Sequence, residues 1–291
     1  MAFNGHLPDP DSFENTPCPL CNSESGTFLY EINSYKYNKC NNCDLVYLNP
    51  RLNEKSLLSY YAQDSFYTEY SAGTGYEIQE KALRSTFSKF MKELHKRNVT
   101  GGKLLEIGCG FGFLLDEAKE YFDYRIGTDF SSEAVNHAKK FADHAYCGGL
   151  ESIPSDETNK FDCVITFSVL EHVYNPNTFI EEINNFMAPK GRVVVSTPFI
   201  GGMWYKILGK KWPFFIPPEH VCLYNHNSIS RLMKQNDFKD VQIFISSHAW
   251  PIAVFLSKVG MHKLSSMTTK LKLGNSPLFV PSTIINVIGS K

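Results

Sequence analysis

Residues 103–112, KLLEIGCGFG, constrain this chain more than any other stretch. An apolar run, Leu104-Leu105 then Glu106-Ile107, breaks into Gly108, Gly110 and Gly112. A short apolar run ended by alternating glycines predicts a buried strand that turns sharply into a helix. Glycine is needed there because the backbone bends tightly and approaches a ligand, where a Cβ would intrude. The helix expected over 113–121 aims its N-terminus at the turn. The plainer alternative is a tight strand-to-helix connection with no ligand.

Spacing separates the ligand classes. In a dinucleotide fingerprint, G-x-G-x-x-G, the third glycine would fall at 113, which is Phe113. The pattern here is E-x-G-x-G-x-G. Asp129 ends the next apolar segment, 124–128, where a carboxylate can accept hydrogen bonds from two ribose hydroxyls. Together these residues resemble the first motif of class I S-adenosylmethionine-dependent methyltransferases. The resemblance implies S-adenosyl-L-methionine as cofactor.

Strand and helix alternate from there. Strands are expected at 103–107, 124–129, 144–147, 161–167 and 192–197. Helices are expected at 113–121, from Ser131 or Ser132 to 141, and at 176–187 with proline in its first turn. A helix over 228–235 and strands over 241–246 and 283–289 complete the pattern, the last strand antiparallel as in the resembled fold class. The fold class is therefore α/β: a Rossmann-like, seven-stranded methyltransferase sheet with helices on both faces.

Open sheets of this kind bind ligand at the carboxyl ends of their strands. The cofactor set read from those ends is Glu106, Gly108, Cys109, Gly110 and Gly112, then Asp129 for the ribose and Phe130 for the adenine face. Leu150 and Glu151 follow for the adenine edge, with Phe167 and Ser168 beside the reactive methyl.

Residues 161–173 (FDCVITFSVLEHV), with Asn175-Pro176 and 188–193, are similar to the bacterial methyltransferase pattern "fD-vvLEHv-dP…lkPGG". Together with an N-terminal cysteine ribbon and Pro217-Pro218-Glu219-His220, they resemble ribbon-bearing methyltransferases of deoxysugar, polysaccharide and natural-product pathways. That resemblance makes His220, with Glu219 beside it, a candidate base; a loop-anchoring pair is the alternative. His172 is the second candidate, with scaffold as its alternative. Leu170-Glu171-His172 is also similar to ubiquinone-pathway O-methyltransferases, in which this segment holds a divalent metal. The earlier acidic position of that pattern is Ser168 here, which counts against a catalytic metal. The other histidines carry no motif.

The metal expected is at the N-terminal end. Cys18-x-x-Cys21 and Cys40-x-x-Cys43 have the spacing of a zinc ribbon, with a hairpin between them at 26–33 and 35–39. Four thiolates close the tetrahedron, so the ion, Zn2+, would be structural. A redox dithiol pair or a nucleic-acid-binding ribbon are the rivals. With 29 Lys+Arg against 30 Asp+Glu, the net charge of -1 gives no basic footprint for long nucleic acid. The remaining cysteines sit in expected core, which suits a reduced, cytoplasmic setting. No segment reads as a signal peptide or a membrane span.

The expected organisation is a loose arm at 1–15, the ribbon at 16–50, a helical linker at 51–98 and the methyltransferase domain at 99–291. Tyr60, Tyr61, Phe66, Tyr67, Tyr70 and Tyr76 crowd the linker, as packing or as a cofactor cover. The aromatic connection 199–227 is read as a substrate lid. The basic insertion 248–282 is read as a helical hairpin on that lid or a dimer contact, or as a segment that lies on an anionic membrane surface or binds a phosphate-bearing substrate. The function expected is methylation of a small-molecule acceptor, sugar-linked or another secondary metabolite, nucleotide- or lipid-linked forms included. The rivals are an RNA-base methyltransferase and a non-catalytic cofactor-binding scaffold.

Overall fold

The computed structural model describes residues 12–61 and 75–291, side chains excepted at 58–61 and 75–78. The tyrosine-rich linker cluster lies outside the described residues and side chains.

The chain opens with β1 (Phe13–Glu14), β2 (Gly26–Ile32), β3 (Tyr35–Cys40), β4 (Val46–Leu48) and β5 (Arg51–Leu52). Helices Glu54–Tyr61 and Gly75–Lys96 lead to β6 (Lys103–Ile107), β7 (Tyr124–Asp129), β8 (His144–Cys147), β9 (Phe161–Phe167) and β10 (Met187–Pro198). After these come β11 (Cys222–Leu223), β12 (Lys239–Pro251) and β13 (Pro277–Ser290). The main sheet has seven strands in the order β12-β13-β10-β9-β6-β7-β8. Strands β8 to β10 are parallel throughout that run, and β13 is antiparallel to both of its neighbours. The expected Rossmann-like sheet is present. Its central strands are buried on both faces, which is why they read as continuous apolar runs rather than alternations.

The helix after β6 is shorter than expected, Phe113–Glu117. Arg125 Nη1, from β7, donates to the Leu115 carbonyl at 2.9 Å, taking an acceptor that another helical turn would have used. Ser131 caps the next helix, Ser132–Ala138, by accepting from the Ala134 amide at 3.2 Å.

The expected loose arm ends in structure, because Phe13 and Glu14 pair with Leu52 and Arg51. The Arg51 guanidinium meets Glu14 at 2.8 Å and lies 4.1 Å over the Tyr174 ring. The ribbon does not pack as a unit apart from the sheet domain. Strand β11 joins β4 to make a four-stranded sheet, β11-β4-β3-β2. Tyr37 Oη donates to the His220 carbonyl at 3.0 Å, and Phe215 packs on Tyr30 and Tyr37. One apolar core runs from Leu20 and Tyr37 through Tyr224 to Val193. Residues 219–224, placed by sequence inside a cover, are therefore buried in this joint. Part of the aromatic content of 199–227, Phe215 and Tyr224 with it, packs in this joint.

Strands β12 and β13 run past the sheet as a two-stranded arm, paired as far as Pro251↔Pro277. The arm carries a helical hairpin, Ile252–Lys258 and His262–Lys270. Helix Met203–Leu208 lies against it: Trp204 Nε1 donates to the Pro281 carbonyl at 2.8 Å and its ring meets Phe255 edge-on at 6.2 Å. Among the described residues, no helix is long and apolar enough to cross a membrane.

Candidate functional site

The turn after β6 has left-handed backbone at Gly108 (φ 72°), Gly110 (φ 49°) and Gly112 (φ 79°). A Cβ at Gly108 would run into Val169, and one at Gly112 would come within 2.8 Å of Ala138 Cα. The Gly108 and Cys109 amides donate to the Thr128 carbonyl, and the Gly110 amide donates to Asp129 Oδ2 at 2.9 Å. Asp129 Oδ1 accepts from the Ser131 amide at 2.9 Å. Beneath the turn, Glu106 is 3% exposed, and its Oε2 has no hydrogen-bond partner; neither has Thr128 Oγ1. Burial first, and then the charge of Asp129, hold the Glu106 carboxyl well above the usual range.

Two orphaned oxygens beside a glycine turn lack a polar, cation-bearing ligand. S-adenosylmethionine fits that description: its ribose offers hydroxyls and its methionine end offers an ammonium. These residues fit the cofactor that the resemblance implies.

The structure brings the remaining expected cofactor residues to the same edge in different capacities. Cys109 Sγ lies under the turn against Gly127, leaving only its backbone toward a ligand. Phe130 is 66% exposed, an uncovered aromatic face at the lip of the site. Leu150 is buried, while Glu151 Oε1 accepts from the Gly149 amide at 2.8 Å. Phe167 is wedged edge-on between Phe87 and Phe90 at 5.2 and 5.3 Å, so its ring serves packing. Ser168 holds φ 56° at the end of β9, with its amide donated to the Ser196 carbonyl at 2.8 Å. Left-handed backbone at a residue with a side chain costs on the order of 1–2 kcal/mol and collects at functional sites.

His172 and His220 meet edge to face, ring centroids 4.8 Å apart. His172 lies in the short turn of helix after β9, and His220 in the segment held by the ribbon. His220 Nδ1 lies 2.8 Å from the Phe214 carbonyl. A carbonyl only accepts, so Nδ1 carries the hydrogen and Nε2 the lone pair. Burial, and then the neighbouring His172, push the His220 imidazolium pKa well below its usual value. Burial lowers His172 to about 4, and its ring bonds the Glu219 backbone carbonyl. Glu219 thus serves through its backbone as a brace for His172. Glu171 Oε2 accepts from Thr197 Oγ1 at 2.9 Å, Oε1 has no partner, and burial pushes the carboxyl up to about 8. Burial thus favours neutral imidazoles at His172 and His220 and the protonated form of Glu171. Glu171, His172 and His220 also place one ligand atom each within 4.8 Å of one another, which is room for a divalent ion.

His248 carries no motif, yet β12 brings its ring to 6.3 Å from Phe167 and 6.0 Å from Trp250. Its amide donates to Thr283 Oγ1 at 3.1 Å, its Nδ1 is buried without a partner, and burial lowers its pKa to about 4. Only the β12–β13 register puts it there, and no local pattern announces that register.

In the ribbon, the sulfur atoms of Cys18, Cys21, Cys40 and Cys43 lie within 4.8 Å of one another. Cys18 and Cys43 are 3.4 Å apart and Cys21 and Cys40 3.6 Å, with no disulfide among them. A zinc–sulfur length of about 2.3 Å sets tetrahedron edges of about 3.8 Å, so the four thiols fit a zinc ion after a small expansion.

A family model described as a methyltransferase domain matches residues 78–243. Among curated proteins, a ubiquinone biosynthesis O-methyltransferase of Bradyrhizobium diazoefficiens is 33% identical over 168 residues, covering 50% of this chain and 64% of its own length. The mitochondrial protein of the same description from Schizosaccharomyces pombe is 36% identical over 124 residues, covering 40% of this chain and 45% of its own length. The chain thus spans less than two thirds of these relatives. Among solved structures, magnesium protoporphyrin IX methyltransferase from Synechocystis PCC 6803, with bound S-adenosylhomocysteine, superposes with a TM-score of 0.54 at 14% identity over 82% of this chain and 100% of its own. A methyltransferase from Archaeoglobus fulgidus gives 0.50 at 18% identity, over 74% and 99%. At such identities the structures speak for the fold, and the matched domain speaks for the family: this chain belongs to the methyltransferase-domain family.

Proposed function

We propose that the protein is an S-adenosylmethionine-dependent methyltransferase acting on a small molecule, a sugar-linked or other secondary metabolite that presents a hydroxyl. The cofactor supplies an electrophilic methyl group on a sulfonium centre. The glycine turn, Glu106 and Asp129 hold its methionine and ribose ends, with Phe130, Leu150 and Glu151 at the adenine. The ubiquinone-pathway relatives are O-methyltransferases by name, which favours oxygen as the accepting atom.

The observation that carries the reading is the tautomer of His220. Its Nδ1–H is committed to Phe214, so Nε2 presents a lone pair beside the end of β9. A depressed pKa keeps that nitrogen unprotonated at neutral pH. Nε2 accepts the proton of the acceptor hydroxyl as the new carbon–oxygen bond forms, and then returns it readily to water. General-base help of this kind contributes about 10²–10⁴-fold. His172 holds the face of the base, and no step is routed through a metal. In the ribbon, Cys18, Cys21, Cys40 and Cys43 hold a structural zinc ion that fixes β3, and through Tyr37 the His220 segment.

The test measures S-adenosylhomocysteine release from the zinc-loaded protein with a panel of hydroxylated acceptors, nucleotide sugars first. Wild-type turnover with at least one acceptor is expected, and His220→Gln retains cofactor affinity while losing turnover. Equal turnover in that variant would remove His220 as the base. Failure to bind S-adenosylmethionine or S-adenosylhomocysteine would sink the whole reading.

A further inference from the structure

The hairpin at the end of the arm is a built unit. The Ile252 and Ala253 amides donate to the Ser276 and Gly274 carbonyls at 3.1 and 3.0 Å, which closes its base. Ser265 Oγ donates to the Ala253 carbonyl at 2.8 Å and ties helix His262–Lys270 to helix Ile252–Lys258. A Cβ at Gly274 would come within 3.1 Å of both Ala253 and Thr269, so the limbs pack closely. Leu264, Ser265 and Thr268 share the half-buried face that the Ser265 bond fixes. A second face, at helical spacing, carries Lys263, Met267, Lys270 and, just past the helix end, Leu271, all exposed.

The same mixture continues on both sides of that face. Val259 and Met261 are exposed in the turn between the helices, and Lys272 and Leu273 after the second. Helix Met203–Leu208, packed on the arm through Trp204, exposes Met203, Lys206 and Ile207. Of the twelve large apolar side chains exposed among the described residues, nine lie in 203–207 and 259–279, so exposure is concentrated here rather than scattered. The charge has one sign. The sequence contains no Asp or Glu from 241 to 291, nor from 183 to 218. Among the described residues, no carboxylate pairs with Lys206, Lys263, Lys270 or Lys272. The chain as a whole carries -1, so these lysines are segregated from the acidic residues that balance them.

We propose that this hairpin, with helix Met203–Leu208 beside it, is a docking surface for an anionic phospholipid bilayer. Met267, Leu271 and the 259–261 turn enter the headgroup boundary, while Lys263, Lys270 and Lys272 meet lipid phosphates. Lysine suits that boundary because its stem lies along apolar surface and its ammonium reaches the headgroups. A second copy of this face, in a two-fold contact, would set lysines against lysines with no carboxylate between them. An acidic polypeptide would meet the lysines but give the interleaved methionine and leucine no apolar medium. Helices of seven and nine residues are too short to span a bilayer, so the contact is peripheral. No part of this depends on the identity of the methyl acceptor.

The test sediments full-length, zinc-loaded protein with unilamellar vesicles at physiological ionic strength. The vesicles are phosphatidylcholine, alone or with about one-third phosphatidylglycerol. The anionic vesicles are expected to bind the protein about tenfold or more tighter than the neutral ones. Lys263→Gln with Lys270→Gln should weaken that binding about twentyfold, about fivefold for each lysine. Met267→Ser with Leu271→Ser should weaken it about tenfold at unchanged charge, which separates insertion from attraction at a distance. The control pair is Lys139→Gln with Lys140→Gln, after the helix beside β7 and β8 at the other edge of the sheet, and it should leave binding within about twofold. All the substituted side chains are exposed, and far-ultraviolet circular dichroism on every variant verifies the fold. Equal binding to both vesicle types, or none at millimolar lipid, overturns the proposal. So does a loss in the control pair equal to that in the Lys263 and Lys270 pair, or wild-type binding by the Met267 and Leu271 pair. A dimer that the Met267 and Leu271 substitutions dissociate, in a protein that ignores vesicles, would give this face to a second copy and overturn it as well.

Discussion

The two ends of the site are built in opposite ways. The cofactor end uses strand ends and the turns that immediately follow them, within 103–168, and much of what it offers is backbone. The proposed acceptor end, around His172 and His220, gathers side chains from distant places: 171–172, 214–220 and 248–250. The first end is held by parallel strands and tight turns, so it tolerates little change but depends on few long-range contacts. The second is held by β11 on the ribbon sheet, by the β12–β13 arm and by stacked aromatics. Its chemistry depends on parts that are remote in the chain.

The largest expected effect separates the two ends. His220→Gln should lower kcat by about 10²–10⁴-fold, with S-adenosylhomocysteine affinity unchanged by calorimetry. Loss of both together would mean that the ends are coupled. The reverse probe is Asp129→Ala, which removes the partner of the Gly110 and Ser131 amides and two ribose acceptors. About 100-fold weaker cofactor binding is expected, at about 1.5–3 kcal/mol for each charge-assisted bond. Binding within a factor of three of wild type would show that Asp129 serves the turn alone.

Disrupting the proposed zinc site tests whether the ribbon belongs to the proposed acceptor end. Cys40→Ser should loosen β3, hence Tyr37 and the His220 carbonyl it holds. Turnover is expected to fall about tenfold with cofactor affinity within about threefold, since one neutral hydrogen bond and its packing are at stake. Equal losses in turnover and cofactor affinity would argue that the whole chain unfolds as one unit.

The smallest effect is in pH. On unfolding between pH 6 and 5, His172, His220 and His248, all with folded pKa values lowered, take up protons, while Glu171 and Glu106, with folded values raised, lose theirs. Three gained against two lost leaves an uptake of about one proton, so stability falls by about 1 kcal/mol per pH unit on acidification. Urea midpoints at pH 6 and 5 measure this slope. Glu171→Gln removes one opposing proton and should about double it; an unchanged slope would show that these groups are solvated.

Much of the fold was legible because its signals are local. Strands 103–107, 124–129, 144–147 and 161–167 begin and end where apolar runs and glycines place them. The helix after β6 came out shorter because Arg125, from the next strand, ends it, which its own residues do not indicate. The arm was hidden for the same kind of reason. β12 and β13 extend well past their expected bounds because each supplies the other's hydrogen bonds, and neither segment alone specifies the pairing. His248 had no motif, and the aromatics of 199–227 divided between the ribbon joint and the arm.

The sequence by itself determined the alternating sheet, the glycine turn with Glu106 and Asp129, and the two cysteine knuckles. In each, the residues that matter lie within a few positions of one another, and backbone sterics or ligand spacing leave few alternatives. Tertiary structure alone decided that the ribbon shares a core with the sheet domain, that His220 faces His172 through a fixed tautomer, and that β12 brings His248 to Phe167 and Trp250 to Phe214. Those outcomes depend on antiparallel register and on side chains meeting across long stretches of chain, where one residue of slip would turn each of them to the other face.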